Sequence, residues 1–169
     1  MKKFLICTLT VLSSLTSFAQ HYHVRNTGYK AFANIELASE FADGNSSVDC
    51  YLATSHGYQF NPYFFLGGGF GIDVNHVVKT SFVSAPLFGQ VRVNLTDSSI
   101  SPYLDCKGGY SFGDLQGAYV QPSVGVSFAI KHRFAINVGL AYTCMFEKIS
   151  GKDDTHKTNK LAIQFGFEF

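Results

Sequence analysis

The sequence predicts an all-β chain that folds as a closed eight-stranded antiparallel up-and-down transmembrane β-barrel. Three observations predict it. The last ten residues, 160–169, carry an apolar side chain at every second position (Leu161, Ile163, Phe165, Phe167, Phe169), the period of a strand with one apolar and one polar face. Gly, Asn, Asp, Pro and Ser recur upstream at intervals that cut the chain into seven more strand-sized pieces, none with a sustained helical period. In all eight pieces the charged residues fall on the phase opposite the apolar one. A membrane imposes that segregation, because a charge facing lipid at the midplane costs roughly 2 to 4 kcal/mol.

Residues 1–19 read as a secretory signal peptide: Lys2 and Lys3, an apolar run over 4–15, and a small-x-small cleavage site at Ser17-Phe18-Ala19. The run is shorter than the ~20 residues of a spanning helix. Residues 20–169 then have the length of one domain. The first strand is expected over 28–41, closed by Asp43-Gly44-Asn45-Ser46, and the second over 47–60. Asn61-Pro62 leads into the third, 63–75, followed by a loop at 76–81 and the fourth strand, 82–95. A turn at Asp97 opens the fifth, 100–112; a connection at 114–117 opens the sixth, 118–130; and Lys131-His132-Arg133 turns into the seventh, 134–146. The charged stretch 148–159 is expected to be the longest connection before the eighth strand, 160–169. Joins at Asn61, Asp97 and Lys131 are short and the others mostly longer, the alternation of an up-and-down membrane barrel with tight turns at one end and loops at the other.

The apolar phase supplies the outer wall, for example Tyr29, Ala31, Ala33, Ile35 and Leu37 in the first strand and Phe134 through Phe146 at alternate positions in the seventh. The other phase, rich in Gly, Ala, Ser and Asn, suits a lumen that has room only for side chains. The bulky apolar set would overfill it. A lumen charge network is expected, with Lys30, Arg92 and Lys107 facing Glu36, Glu40, Asp73 and Asp105. Paired in a narrow space, such ions plug the barrel, since unpaired ones are costly to bury; the alternative is a narrow ion path. His56 is the one awkward outward residue, to be found near an interface or at a bulge. An aromatic girdle is expected at the rim, drawn from Tyr29, Phe60, Tyr63, Phe64, Tyr103, Phe128, Phe134 and Phe169.

Other chemistry is sparse. With 13 Lys and Arg against 12 Asp and Glu, the charge makes no case for a nucleic-acid partner. Cys50, Cys106 and Cys144 fall on apolar phases without a close ligand spacing and read as small apolar residues. Gly67, Gly68, Gly69 and Gly71 lack the helix that a phosphate-binding loop needs and instead make room in the lumen. Ser55-His56 is the nearest thing to a nucleophile and base, but no acid accompanies it. His21, His23, His76, His132 and His156 lie in the tail, turns or loops. No enzyme activity, cofactor or metal is expected. The loop residues Lys152, Asp153, Asp154, His156 and Lys157 form the best surface for an extracellular ligand.

The signal peptide, the eight amphipathic strands, the small-residue lumen and Phe169 together resemble the small eight-stranded outer-membrane barrels, similar to the OmpA transmembrane domain and OmpX-like proteins. The likeness covers 20–169 and is one of pattern, without a diagnostic motif. It implies the outer membrane of a Gram-negative bacterium, contact with outer-membrane lipid, recognition of Phe169 by outer-membrane assembly machinery, and a structural or surface-interaction role. A following peptidoglycan-binding domain, and a tethering role with it, is not expected. The rival readings are a soluble periplasmic lipocalin-like ligand-binding barrel and an outer-membrane lipid-modifying enzyme.

Overall fold

The computed structural model describes residues 27–40, 48–77, 80–131, 134–149 and 155–169. The expected signal peptide 1–19, His21, His23, His132, and the expected loop residues Lys152, Asp153 and Asp154 lie outside the described residues, as do the side chains of Glu40, His76 and His156. Eight strands follow in order: β1 (Gly28–Glu40), β2 (Val48–Gln59), β3 (Phe64–Val77), β4 (Thr80–Asn94), β5 (Ile100–Gly113), β6 (Leu115–Lys131), β7 (Phe134–Ile149) and β8 (Thr155–Glu168). Each pairs antiparallel with the next, and β8 returns to β1, so the barrel is closed and no strand edge is left unpaired. The expected fold class is the one observed.

The seam between β1 and β8 runs from Glu40↔Lys160 to Phe32↔Glu168. It is sealed beyond that by reciprocal backbone bonds between Ala31 and Phe169, 3.1 and 2.9 Å. Residues 28 and 169 therefore mark one end of the barrel, the near end, where the chain also turns at 60–63 and 95–99 and where Lys131 pairs with Phe134. The Asn61 side-chain oxygen accepts from the backbone N–H of Tyr63 (2.9 Å) and of Phe64 (2.8 Å), the local bonding that makes Asn a turn former.

At the far end the connections are shorter than the sequence suggests. Pairing of β3 with β4 continues to Val77↔Thr80, and that of β7 with β8 to Lys148↔Thr155, so the expected loops at 76–81 and 148–159 are largely strand. Residues 115–117, expected as connection, also belong to β6: Gly113 pairs with Ser84 of β4 and Leu115 with Ile149 of β7. Neighbouring strands capture residues that a hairpin considered alone would leave in its loop. Gly113 takes φ 124° there, a conformation open mainly to glycine, and Asp114 Oδ2 accepts from Val83 N–H at 3.0 Å. The expected alternation of tight turns and long loops is thus replaced by strands of 12 to 17 residues, longer than the 9–11 that cross a bilayer.

The two faces are inverted relative to a soluble barrel. Outward side chains such as Ile35, Leu87, Val124, Leu140 and Ile163 are exposed, while Glu36, Arg92, Asp105, Lys107 and Gln164 are buried in the lumen. Among the described strand side chains, Lys157 is the only charge on the outward phase. It was expected in a loop, and the longer β8 carries it onto the wall. Its Nζ lies 6.0 Å from the Phe146 ring centroid, where the outward phase of β8 has already turned polar beyond Leu161.

The lumen departs from expectation in one respect. Besides small residues, it buries six aromatic rings among the described residues, those of Phe32, Tyr51, Phe65, Phe88, Tyr103 and Tyr119. Lumen-facing glycines accommodate them. A Cβ on Gly71 would come 2.6 Å from the Tyr51 ring, and one on Gly67 the same distance from Phe65. The glycine cluster of β3 is a bed for rings, and the overfilling argument holds only where no glycine lies opposite.

Candidate functional site

The lumen is the candidate site, and it has three layers. Nearest residue 28, Lys30 is ion-paired with Glu168. Above them the Arg92 guanidinium is buried between two rings, 3.6 Å from the Tyr103 centroid and 4.8 Å from that of Phe32. It donates to Asn137 Oδ1 at 3.0 Å. Phe32 meets Phe65 edge-on at 4.9 Å, so this layer stacks three rings and a cation inside the barrel.

In the middle layer, Lys107 Nζ donates to Glu36 Oε1 at 2.6 Å, and Gln121 Nε2 donates to the other carboxylate oxygen at 2.8 Å and to Thr143 Oγ1 at 2.8 Å. Gln90 Nε2 donates to Asp105 Oδ2 at 2.5 Å. Lys107 and Glu36 are both almost fully buried. Each ion there is held by its opposite charge or by an amide, the condition under which burial is tolerated.

Toward the far end, Lys160 bridges Asp49 at 2.5 Å and Asp73 at 3.8 Å. Beneath them lies a cavity of ≈ 50 Å³, lined by Glu36, Tyr51, Tyr119, Gln121, Met145 and their neighbours. That is room for a few water molecules, and far below the roughly 300 to 1,000 Å³ of a small-molecule site. Lumen oxygens and nitrogens without a protein hydrogen-bond partner, among them those of Asn34, Ser55 and Ser127, are groups that ordered water satisfies in other interiors.

Of the expected network, Lys30, Glu36, Asp73, Arg92, Asp105 and Lys107 all line the lumen; Glu36 pairs with Lys107, while Lys30 pairs with Glu168 and Asp73 with Lys160. Arg92 and Asp105 are directly opposite on β4 and β5, yet their side chains turn apart, one to Tyr103 and Asn137 and the other to Gln90. Asp49, Lys160 and Glu168, already on the polar phase, complete the pairs. Which residues meet across the bore depends on the stagger of the closed ring, a property no single strand carries.

On the outer wall, Ser55 and His56 separate. Ser55 is buried in the lumen and His56 is exposed outside, so they are not a nucleophile and base. The β1–β2 register runs unbroken through Ala31↔His56. No bulge is present, and the histidine sits near the end of β2 beside the rim. There its Nδ1 lies 2.6 Å from Tyr29 Oη and its Nε2 3.1 Å from Thr54 Oγ1. The rim carries exposed Tyr29, Phe60, Tyr63, Phe64 and Phe169, with Phe134 5.5 Å from Phe169. Tyr103, expected in this girdle, belongs instead to the lumen. Cys50, Cys106 and Cys144 are free thiols on the outward phase. Among the described residues no cluster of three His, Cys, Asp or Glu is placed to hold a metal ion, and no helix is long and apolar enough to cross a membrane.

No protein-family model and no curated protein matches the sequence. Solved structures do match the fold. Neisserial surface protein A is similar with a TM-score of 0.68 and 17% identity, over 83% of this chain and 96% of that one. The outer membrane enzyme PagL is similar at 0.52 and 13%, over 79% and 97%. The N-terminal β-barrel domain of Pseudomonas aeruginosa OprF is similar at 0.50 and 14%, over 85% and 100%. Identities this low speak for architecture alone. On that footing, the chain has the fold of the small eight-stranded outer-membrane β-barrels.

Proposed function

We propose that the protein is an integral outer-membrane barrel of a Gram-negative bacterium, exported by its 1–19 signal peptide, with no catalytic activity and a structural or surface-interaction role. One observation carries this: a continuous apolar outer wall encloses a lumen that holds the ions. Water around such a wall would face an apolar patch far beyond the few hundred Å² usual for soluble monomers; lipid is the solvent that suits it. A lipocalin-like ligand role is disfavoured by the ≈ 50 Å³ of the far-end lumen cavity and by the rings and ions packed below it. Fractionation tests the assignment. The mature protein should resist carbonate and need detergent for release, with a folded band that shifts on heating. Release by carbonate alone would overturn the reading.

Packed rings at Arg92 and the Glu36–Lys107 pair support a plug in preference to a pore. Purified protein in planar bilayers should give no steady unitary conductance, and a well-defined open channel would contradict the plug. PagL is described as an enzyme and shares the architecture, so architecture leaves catalysis open; the separation of Ser55 from His56 supports the non-enzymatic reading. Deletion should leave lipid A and phospholipid profiles unchanged.

Partner contact is assigned to the far-end hairpins, where Lys157 stands on the wall and Lys152, Asp153, Asp154 and His156 precede it in sequence. The exposed Phe169 side chain is assigned to recognition by the assembly machinery. Phe169→Ala should lower the yield of inserted barrel, and undiminished insertion would remove that role.

A further inference from the structure

We propose that the outer wall carries a binding site for one glycerophospholipid, with its phosphate at Tyr29 and His56 and an acyl chain in a groove across β1, β2 and β3. The proposal rests on the membrane reading above. Two observations meet here. A groove of ≈ 410 Å³ opens on the wall between Ile35, Leu52, Phe70, Ile72 and Phe167, with Ala33 and Thr54 at its floor. Unlike the lumen cavity, it falls within the size range of ligand sites, and its lining is almost wholly apolar.

The second observation is the polar cluster at one end of that groove. Thr54 belongs to both, lining the groove and lying 3.1 Å from His56 Nε2 through its hydroxyl. That hydroxyl also donates to the Phe32 carbonyl oxygen at 3.2 Å. Its lone pairs are then left to accept from Nε2–H. Tyr29 Oη lies 2.6 Å from Nδ1, and the two rings stack at 6.1 Å. In the complex, a phosphate oxygen accepts the hydroxyl proton of the well-exposed Tyr29, and Nδ1, relieved of that donor, takes up a proton that it donates to Tyr29 Oη, so positive charge forms beside the phosphate only as the lipid binds.

The spacing suits such a lipid. Ala31 pairs with His56, Ala33 with Thr54 and Ile35 with Leu52. At about 3.3 Å per residue, the groove begins roughly 7 Å and extends to about 13 Å deeper along the strand than His56. His56 lies just inside the exposed rim residues Tyr58, Phe60 and Phe64, where an aromatic girdle meets headgroups. Phosphate at the cluster and chain in the groove therefore follow the natural direction of a lipid in the near leaflet.

Native mass spectrometry of the full folded barrel, released from detergent micelles with phosphatidylglycerol added, tests this. The wild-type protein should retain one lipid. Tyr29→Phe and His56→Phe, which keep the rings, should each lower retention about tenfold, the loss of one charge-assisted hydrogen bond. Ala33→Phe, which fills the groove floor, should lower it as far, and Leu104→Phe on the opposite wall should not. Equal retention in all variants that show a heat-modifiable band would overturn the site and leave the membrane reading standing. A wild-type chain that never forms that band in micelles would overturn both.

Discussion

The guanidinium carbon of Arg92 lies 3.6 Å from the centroid of the Tyr103 ring, and this contact stands where an ion pair with the facing Asp105 would be expected. A desolvated cation over an aromatic face is stabilised by ~2 kcal/mol or more. Tyr103→Leu should therefore lose about that much, and Arg92→Met in the same background should recover part of it by removing the stranded charge. Urea titration of the heat-modifiable band in detergent measures both. Equal midpoints for wild type and Tyr103→Leu would mean that the ring does not hold the cation.

Glu36 serves two partners, Lys107 and Gln121. Glu36→Gln leaves a buried ammonium uncompensated, and breaking a buried pair from one side costs roughly 3 to 5 kcal/mol. Removing both charges in Glu36→Gln/Lys107→Met should cost much less than the sum of the single changes. A double-mutant cycle by urea unfolding reads this coupling; additivity would show the pair to be energetically idle.

Glycines provide a contrast of position. A Cβ on Gly139 would fall 2.7 Å from Tyr103 Oη and 2.7 Å from the Val124 carbonyl oxygen, whereas one on Gly108 meets nothing nearer than 3.9 Å. Gly139→Ala should destabilise by about 1 to 3 kcal/mol, as overpacking does. Gly108→Ala should stay within about 0.5 kcal/mol. Thermal unfolding followed by circular dichroism separates them, and equal losses would refute the packing explanation.

The outer wall should tolerate charge only at its margins. Leu140, exposed near the middle of β7, should cost roughly 2 to 4 kcal/mol when replaced by Arg. Lys157→Ala, beyond the apolar stretch, should cost less than about 0.5 kcal/mol. Folding yields into lipid vesicles across a urea series provide the measurement. An insensitive Leu140→Arg would argue against a lipid-facing wall.

Which features could be read in advance follows from how far each reaches along the chain. The alternation that puts Leu161 outside and Gln164 inside is written in adjacent residues, so strand number and facing were legible. Loop lengths were less so, because residues such as Leu115 are claimed by a strand beyond their own hairpin. The lumen pairs were least legible. Lys30 meets Glu168, and Lys160 meets Asp49 and Asp73, only once the ring has closed with its stagger. Phe32, Phe65 and Tyr103 do not announce themselves as lumen residues because their partners are absences of side chain. One signal was available: glycines at alternating positions of β3, Gly67, Gly69 and Gly71, on the same phase as Phe65.

The backbone bonds between Ala31 and Phe169 have a topological consequence. A ring of eight strands has no first member; the numbering begins at β1 only because ribosomal synthesis does. With residues 28 and 169 at the same end, a short linker can join them, and new ends can be cut at the Asp114 turn without removing a single strand pairing. Such a circular permutant should close into the same ring, its seam moved to β5 and β6 and its old ends sealed as one more turn.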